Sequence, residues 1–350
     1  MLKPVQFQSH ILNWFDQFGR KDLPWQKKKT PYRVWISEIM LQQTQVKTVI
    51  PYFQRFIKEF PSVRSLAKAS VDEVFHLWTG LGYYQRARNL HQAAKFVMDH
   101  HKGKIPDDLE NLLSLPGIGR STAGAILAMA FNQQAAILDG NVKRLFARCF
   151  GVEIPINTTS GLKELWQLAE LYASARRPSD YTQTLMDIGA TVCTPKHPLC
   201  QNCPLDRHCY AKSQHKIETI PLKKPAKQLP IRDATFLVLQ KNNSVLLNQR
   251  LEKGVWKGLW SFPEYQGLPE LSRVQKMCEE NYAFKPNTYA SLASFRHTFT
   301  HFHLHIFPIL IKSNVYPKWR QHQEIWYDMD RPAPIGLPKP VQLILQSILQ

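Results

Sequence analysis

Residues 112–149, LLSLPGIGRSTAGAILAMAFNQQAAILDGNVKRLFARC, decide the fold. They read as a helix, a tight glycine hairpin, an alanine-rich helix, a short loop and a third helix opened by Asp139. Pro116 cannot continue the helix before it, and Gly117 and Gly119 permit turns and close backbone approach that a Cβ would obstruct. The next helix therefore begins with unpaired N–H groups under small side chains, a seat for a phosphate oxygen, with Arg120 adding a cation nearby. Alone, the motif is equally an ordinary helix–turn–helix connection. Asp139 before Gly-Asn-Val is a good N-cap, and it is also a carboxylate fixed close to the hairpin; the two roles are compatible.

Outward from this stretch, the composition narrows the partners. A chain of 350 residues suggests two domains at ~150 residues each. Lys plus Arg number 45 against 27 Asp plus Glu, a formal charge of +18, which points to a polyanion and to nucleic acid ahead of a membrane surface. The start, MLKPVQFQSHILNWF, lacks the apolar run of a signal peptide, and no segment approaches the ~20 apolar residues that span a bilayer. The expectation is an intracellular, soluble protein with no membrane partner.

On the N-terminal side, residues 9–18 read as a short amphipathic helix. Thr30-Pro31 then gives a cap followed by proline in the first turn, opening a helix that carries Val34, Trp35, Ile36, Ile39, Met40 and Leu41. One acid, Glu38, stands among them. Desolvation there would raise its pKa until it holds a proton near neutrality; alternatively it faces water or pairs with Arg33. Gln42-Gln43-Thr44 breaks the pattern before another amphipathic helix, and amides at such a junction can reach base edges. A helix over 70–78 ends at Gly80-Leu81-Gly82-Tyr83-Tyr84 beside Arg86 and Arg88. Glycine turns presenting Leu and Tyr suit a wedge entering a base stack, or core aromatics at a helix boundary.

On the C-terminal side stand four of the six cysteines, Cys193-x6-Cys200-x2-Cys203-x5-Cys209. In a reducing compartment such a cluster binds metal, either zinc or a [4Fe–4S] cluster; a single CxxC tilts toward iron–sulfur without settling it. Cys149 and Cys278 read as isolated buried thiols.

LPGIG, the aspartate about twenty residues beyond it and the cysteine spacing together resemble the helix–hairpin–helix base-excision glycosylases of the endonuclease III superfamily. SEIMLQQTQV at 37–46, GLGYYQRARNL at 80–90 and LDGNVKR at 138–144 closely resemble the MutY-type adenine DNA glycosylases, which remove adenine mispaired with oxidised guanine. The resemblance covers essentially the whole chain. Bifunctional relatives carry a lysine in LPGVGRKTA that forms a Schiff base; here Ser121 stands in LPGIGRSTA, which implies a monofunctional enzyme leaving an abasic site. The resemblance makes Glu38 the acid that protonates N7 of a flipped adenine. Asp139 would stabilise the cationic sugar, either electrostatically or by transient covalent attachment, and Asn141 would orient the two. Gln43 and Tyr83 would occupy or prop the stack around the lesion with Leu81 beside them, Gly117 and Gly119 would form the hairpin, and Ser121 would line the pocket. The implied cofactor is a [4Fe–4S] cluster on Cys193, Cys200, Cys203 and Cys209. The implied partner is duplex DNA with A:8-oxoguanine or A:G mispairs, met by a monomer in a bacterial cytoplasm.

Beyond Lys212 the pattern fades into SQHKIETIPLKKPAKQLP, a semi-extended linker. Residues 235–239 and 244–247 read as strands joined by a Lys-Asn-Asn turn. GVWKGLWSFP at 254–263 resembles the entry to a Nudix fold, but 268–284 lacks the RExxEExG box, so the domain is expected to be Nudix-like without hydrolase activity. Residues 295–306 alternate in period two, placing His301, His303 and His305 on one strand face and Phe302, Leu304 and Ile306 on the other: a metal site or, more simply, a wet face. The family reads oxidised guanine with Phe-Ser-His, and Phe299-Thr300-His301 stands at that place. The expected class is a multi-domain chain. An all-α helix–hairpin–helix domain over 1–213 contains the cluster loop 193–209, a linker covers 214–230, and an α+β Nudix-like domain covers 231–350.

Overall fold

The computed structural model describes residues 2–224, 228–251, 254–282, 286, 288–312 and 323–349. The chain packs as two compact units, Met1–Lys68 with Asn89–Ala226, and Ala69–Arg88 with Lys227–Gln350. The expected linker partly falls on 225–227, outside the described residues, as do 283–284 of the stretch searched for a Nudix box.

The first unit is helical. Its first helix is longer than expected, Pro4–Phe18, because Pro4 is tolerated in an opening turn. Helix Pro31–Leu41 starts where the sequence places it, with Thr30 Oγ1 accepting from the Arg33 N–H. It packs on the alanine-rich helix Arg120–Phe131, and helix Gly140–Phe150 packs on helix Pro178–Thr191. A small residue lets the alanine-rich helix lie close against the loop that follows it: a Cβ at Gly124 would overlap the Ala136 carbonyl oxygen. No helix among the described residues is long and apolar enough to cross a membrane.

The second unit is built on a mixed sheet. Its strands are β1 (Ile231–Lys241), β2 (Ser244–Gln249), β3 (Trp260–Ser261), β4 (Glu264–Gln266), β5 (Thr288–Ser291), β6 (Phe295–Thr298), β7 (His303–Lys312) and β8 (Glu324–Asp328). Their order is β3-β2-β1-β7-β5, with β4 beside β1, β6 beside β7 and β8 beside β2. β1 and β7 run parallel from Ile231↔His303 to Gln240↔Lys312. Both faces of this pair are covered, which explains the continuous apolar run in β1. Phe236, Val238, Leu304 and Ile306 pack with Val341 and Ile344 of helix Lys339–Ile348. Leu237, Leu239, Ile309 and Ile311 pack with Val274 and Cys278 of helix Leu271–Tyr282.

The alternating segment 295–306 is not one strand. β6 and β7 pair antiparallel, Phe295↔Ile306 to Thr298↔His303, and residues 299–302 form the turn. The Phe299 N–H donates to the Phe302 carbonyl (2.9 Å), and the two rings stack at 4.6 Å. A period of two runs unbroken through such a tight reversal, so the pattern hides it. Phe302, Leu304 and Ile306 are buried as read, while His301 sits on the turn, off the face that carries His303 and His305.

Candidate functional site

A cleft of about 690 Å³ in the first unit brings Glu38, Gln43, Asp139 and Asn141 together, with Arg144 and Gln183 also on its wall. Glu38 is half-buried among the buried Trp35, Ile36, Ile39 and Met40. Its Oε1 is shielded from solvent and has no hydrogen-bond partner among the described residues. Burial, and then the Asp139 charge, push its pKa up to about 8. Arg33 does not relieve it; that guanidinium donates to the Pro24 carbonyl (2.9 Å) and lies over the Phe53 ring.

Asp139 caps helix Gly140–Phe150, its Oδ1 accepting from the Val142 N–H (2.8 Å) and its Oδ2 from Asn141 Nδ2 (3.3 Å). Burial raises its pKa against those bonds and the Arg144 charge, which lower it. Asn141 is fixed in turn: its Oδ1 accepts from Arg144 Nη2 (2.9 Å), and a Cβ on Gly189 would stand 2.5 Å from its own Cβ. Arg144 also donates to the carbonyls of Gly189 (2.6 Å) and Cys193 (2.7 Å). Arg144 escaped the sequence reading, although its place three residues after Asn141 in LDGNVKR puts both on one helix face. Asp187, buried, accepts from Arg20 (2.7 Å) and Gln183 (2.6 Å) and so anchors two more wall residues that no local pattern marks.

Ser121 is absent from the wall. Its Oγ accepts from the Leu138 N–H (2.9 Å), so it holds the backbone that leads into Asp139. Of the two junction amides, Gln42 donates to Thr122 Oγ1 (3.2 Å), whereas Gln43, at φ +57, reaches the cleft. In the hairpin, Gly117 has φ +82, and a Cβ there would stand 2.7 Å from Asn89 Cβ. Gly119 caps the next helix with open space where a side chain would be, room for an approaching anion. The cation expected from Arg120 is engaged elsewhere, over the Trp166 ring and paired with Glu170.

The second unit holds its own cleft of about 460 Å³, lined by Tyr83, Arg88, Trp256, His297 and the turn Phe299-Thr300-His301. Tyr83 stands half-exposed at φ +51, just after Gly80 and Gly82, both also at positive φ. Leu81 does not share the cleft; it is 6% exposed. Trp256, unmarked in the sequence, has φ +61 and lies 5.0 Å from Phe299 and 5.5 Å from His297.

Cys193, Cys200, Cys203 and Cys209 line a single pocket of the first unit, and Cys149 lines it too, so that thiol is not isolated. Among the described residues no three His, Cys, Asp or Glu side chains converge on a single-ion site. Burial pushes the Cys203 thiol up to about 12 and raises Cys200 and Cys209 as well. The buried Arg148 donates to Thr194 (2.7 Å) and Pro195 (3.2 Å) carbonyls and reaches Cys193 Sγ at 3.5 Å. Thiols that resist ionisation beside a buried cation are a donor set that becomes thiolate when a multivalent metal centre supplies positive charge.

Residues 36–170 match the family described as HhH-GPD superfamily base excision DNA repair protein, and residues 234–347 match the NUDIX domain. The adenine DNA glycosylase of Buchnera aphidicola subsp. Acyrthosiphon pisum is 43% identical, over 97% of this chain and 97% of that one. The rat adenine DNA glycosylase is 36% identical over 73% of this chain and 60% of its own length. A thermostable thymine-DNA glycosylase of known structure, 29% identical, covers 60% of this chain and 97% of its own with a TM-score of 0.55. Helical unit and sheet unit thus each have their counterpart.

Proposed function

This chain belongs to the adenine DNA glycosylase family, enzymes of base-excision repair that take adenine from DNA, and on that premise we propose that it hydrolyses adenine mispaired with 8-oxoguanine, or with guanine, and leaves an abasic site. The observation that carries the chemistry is the pair of carboxylates on one cleft, Glu38 with a pKa of about 8 and Asp139 held by a helix N-terminus. Adenine is a poor leaving group. Glu38 protonated at neutral pH gives its proton to N7 of the extruded base, and the shielded Oε1 has nothing else to bond. Asp139 faces the positive charge that develops on the sugar, the division of labour of a two-carboxylate glycosidase. Asn141 and Arg144 hold Asp139 in place. Ser121 has no amine to form an imine, so strand scission is left to alkali.

Support for reading the opposite base comes from the second cleft, where Tyr83 and Phe299-Thr300-His301 face one volume. Gln43 works from the first cleft, and the hairpin of Gly117 and Gly119 receives a backbone phosphate. Leu81, buried, supports the Tyr83 turn instead of entering the stack. The four cysteines are the ligands we assign to a [4Fe–4S] cluster. When bound, the cluster ties the 193–209 loop together through iron–thiolate bonds. Arg144 and Arg148, bonded to carbonyls of that loop, set the helix bearing Asp139 against it.

The test is single-turnover scission of a duplex with adenine opposite 8-oxoguanine, with and without hot alkali, beside an A:T control. Cleavage only after alkali and only in the mispair supports the assignment. Cleavage without alkali would mean a lyase acting through another amine.

A further inference from the structure

Residues 69–88 lie far from the sheet in sequence yet pack with it in one unit, and the contacts are built rather than incidental. Helix Val71–Trp78 begins with a capping box, Ser70 with Glu73. In its first turn Asp72 Oδ1 accepts from Trp260 Nε1 of β3 (3.1 Å). One turn later Phe75 sits against Gly336, where a Cβ would overlap its own. Tyr84 Oη donates to the Leu337 carbonyl (2.8 Å), and the Phe75 and Tyr84 rings meet edge-on at 5.7 Å. Arg88 lies over Phe75 and donates to the Lys257 carbonyl, beside Gly258, where a Cβ would stand 2.8 Å from Arg88 Nη2. From this seat the turn bearing Tyr83 is tied down by Trp78 Nε1 on the Gly82 carbonyl (3.1 Å) and by Arg86 on the same carbonyl (3.2 Å).

We infer that this glycine-lined seat is a specificity device: Asp72, Trp260 and Gly336 are positioning residues that hold the Tyr83 turn in register with the Phe299-Thr300-His301 turn. The inference rests on the 8-oxoguanine reading above and adds to it the residues that make two loops act as one reader. The first turn holds Tyr83 in the left-handed region, and the Phe299 ring of the second rests beside Trp256, itself in that region, so neither turn fixes its own place to the tolerance that reading a base edge demands. A segment clamped at Asp72, Phe75, Tyr84 and Arg88 supplies that tolerance. No acid of the first cleft takes part, so chemistry and discrimination are separable.

The experiment uses the full-length protein and two duplexes, each carrying a non-cleavable adenine analogue opposite 8-oxoguanine or guanine. Gly336→Ala wedges Phe75 away, Trp260→Phe removes the indole N–H while keeping a ring, and Asp72→Asn keeps a carbonyl acceptor for it. The first two should lower the affinity preference for 8-oxoguanine over guanine about tenfold, while Asp72→Asn retains it. Release of adenine from an A:G duplex at saturating enzyme should stay at the wild-type rate in all three. An unchanged preference in both Gly336→Ala and Trp260→Phe overturns the inference, and so does an equal loss of binding on both duplexes. A wild-type protein without any preference would instead overturn the reading beneath it.

Discussion

The two clefts of this protein are built on opposite plans. The first is set mostly among regular helices, and around Asp139 its polar side chains are held one by the next, Arg144 to Asn141 to Asp139. The second is walled by rings on turns, with Tyr83 and Trp256 at positive φ and Thr300 and His301 exposed. In the mechanism proposed above, a proton donor gains from exclusion of water, which raises the Glu38 pKa, and a charge-stabilising carboxylate gains from a fixed dipole at its back. On the function proposed for the second, a reader of bases gains from exposed donors and flat faces. Shielding and exposure cannot be had in one cavity, and the chain keeps them in two.

Glu38→Gln should separate the two clefts most strongly. If the shielded acid is the proton donor, adenine release should fall by about 10²–10⁴, with duplex binding retained. In the wild type the single-turnover rate should hold below pH 8 and fall roughly tenfold per pH unit above it, as a group with a pKa of about 8 loses its proton. Stability carries the same signature. A carboxyl with a raised folded pKa contributes fully below its unfolded pKa, and that contribution is withdrawn as pH rises through about 8. A tenfold change in acidity between the folded and unfolded chain is worth roughly 1.4 kcal/mol, reduced here by the partial exposure of Glu38. Glu38→Gln should therefore gain on the wild type in unfolding midpoint as pH rises from acid toward 8. A flat pH–rate profile over roughly pH 6–9 would remove the acid from the mechanism.

Asp139→Asn separates the cap from the charge. Asparagine caps as well as aspartate, so the unfolding midpoint should hold. The rate should fall by about 10²–10³, the scale of one lost electrostatic stabiliser. Because the Asp139 charge helps to raise Glu38, the residual pH profile of this variant should also move to lower pH. A profile that stays in place would show that the two acids do not feel each other.

Ser121→Ala probes the backbone beneath Asp139. It leaves the buried Leu138 N–H without its acceptor, a cost of about 1–3 kcal/mol. The expected result is a lowered urea midpoint with a smaller change in rate than Asp139→Asn. A large rate loss at unchanged stability would return Ser121 to the cleft wall.

How legible each cleft was follows from the same contrast. The first was largely readable, because caps, hairpin glycines and an acid in an apolar helix are local signals: Thr30, Gly117, Asp139 and Glu38 stand where their neighbours in sequence dictate. What escaped was Asp187 reaching Arg20 across 167 residues, and Ser121 reaching Leu138 from one helix to the loop beyond it, since no periodicity or cap signal links either pair. The second cleft was less readable for two physical reasons. Alternation continues through the turn 299–302, so a hairpin passes for one strand. The segment 69–88 looks like any other amphipathic helix and loop, and its attachment to β3 rests on single contacts such as Asp72 to Trp260 that no periodicity announces. Leu81 shows the limit of motif matching: the glycines around it are local, but which of Leu81 and Tyr83 faces out is decided by packing.

The smallest expected effect tests the second cleft at its most exposed point. Thr300 stands on the turn with its Oγ1 3.3 Å from His301 Nδ1, and the family pattern has serine there. If the hydroxyl is what the turn offers, Thr300→Ser removes only a methyl from an exposed position, and affinity for the 8-oxoguanine duplex should change by less than about threefold. Thr300→Val keeps the branched shape and removes the donor and acceptor, so a loss of about tenfold is expected, the scale of one hydrogen bond. Equal behaviour of the two variants would mean that shape rather than hydrogen bonding reads the lesion at this position. The second cleft would then discriminate with its rings, Tyr83, Trp256 and Phe299, and the contrast with the hydrogen-bonded first cleft would be wider still.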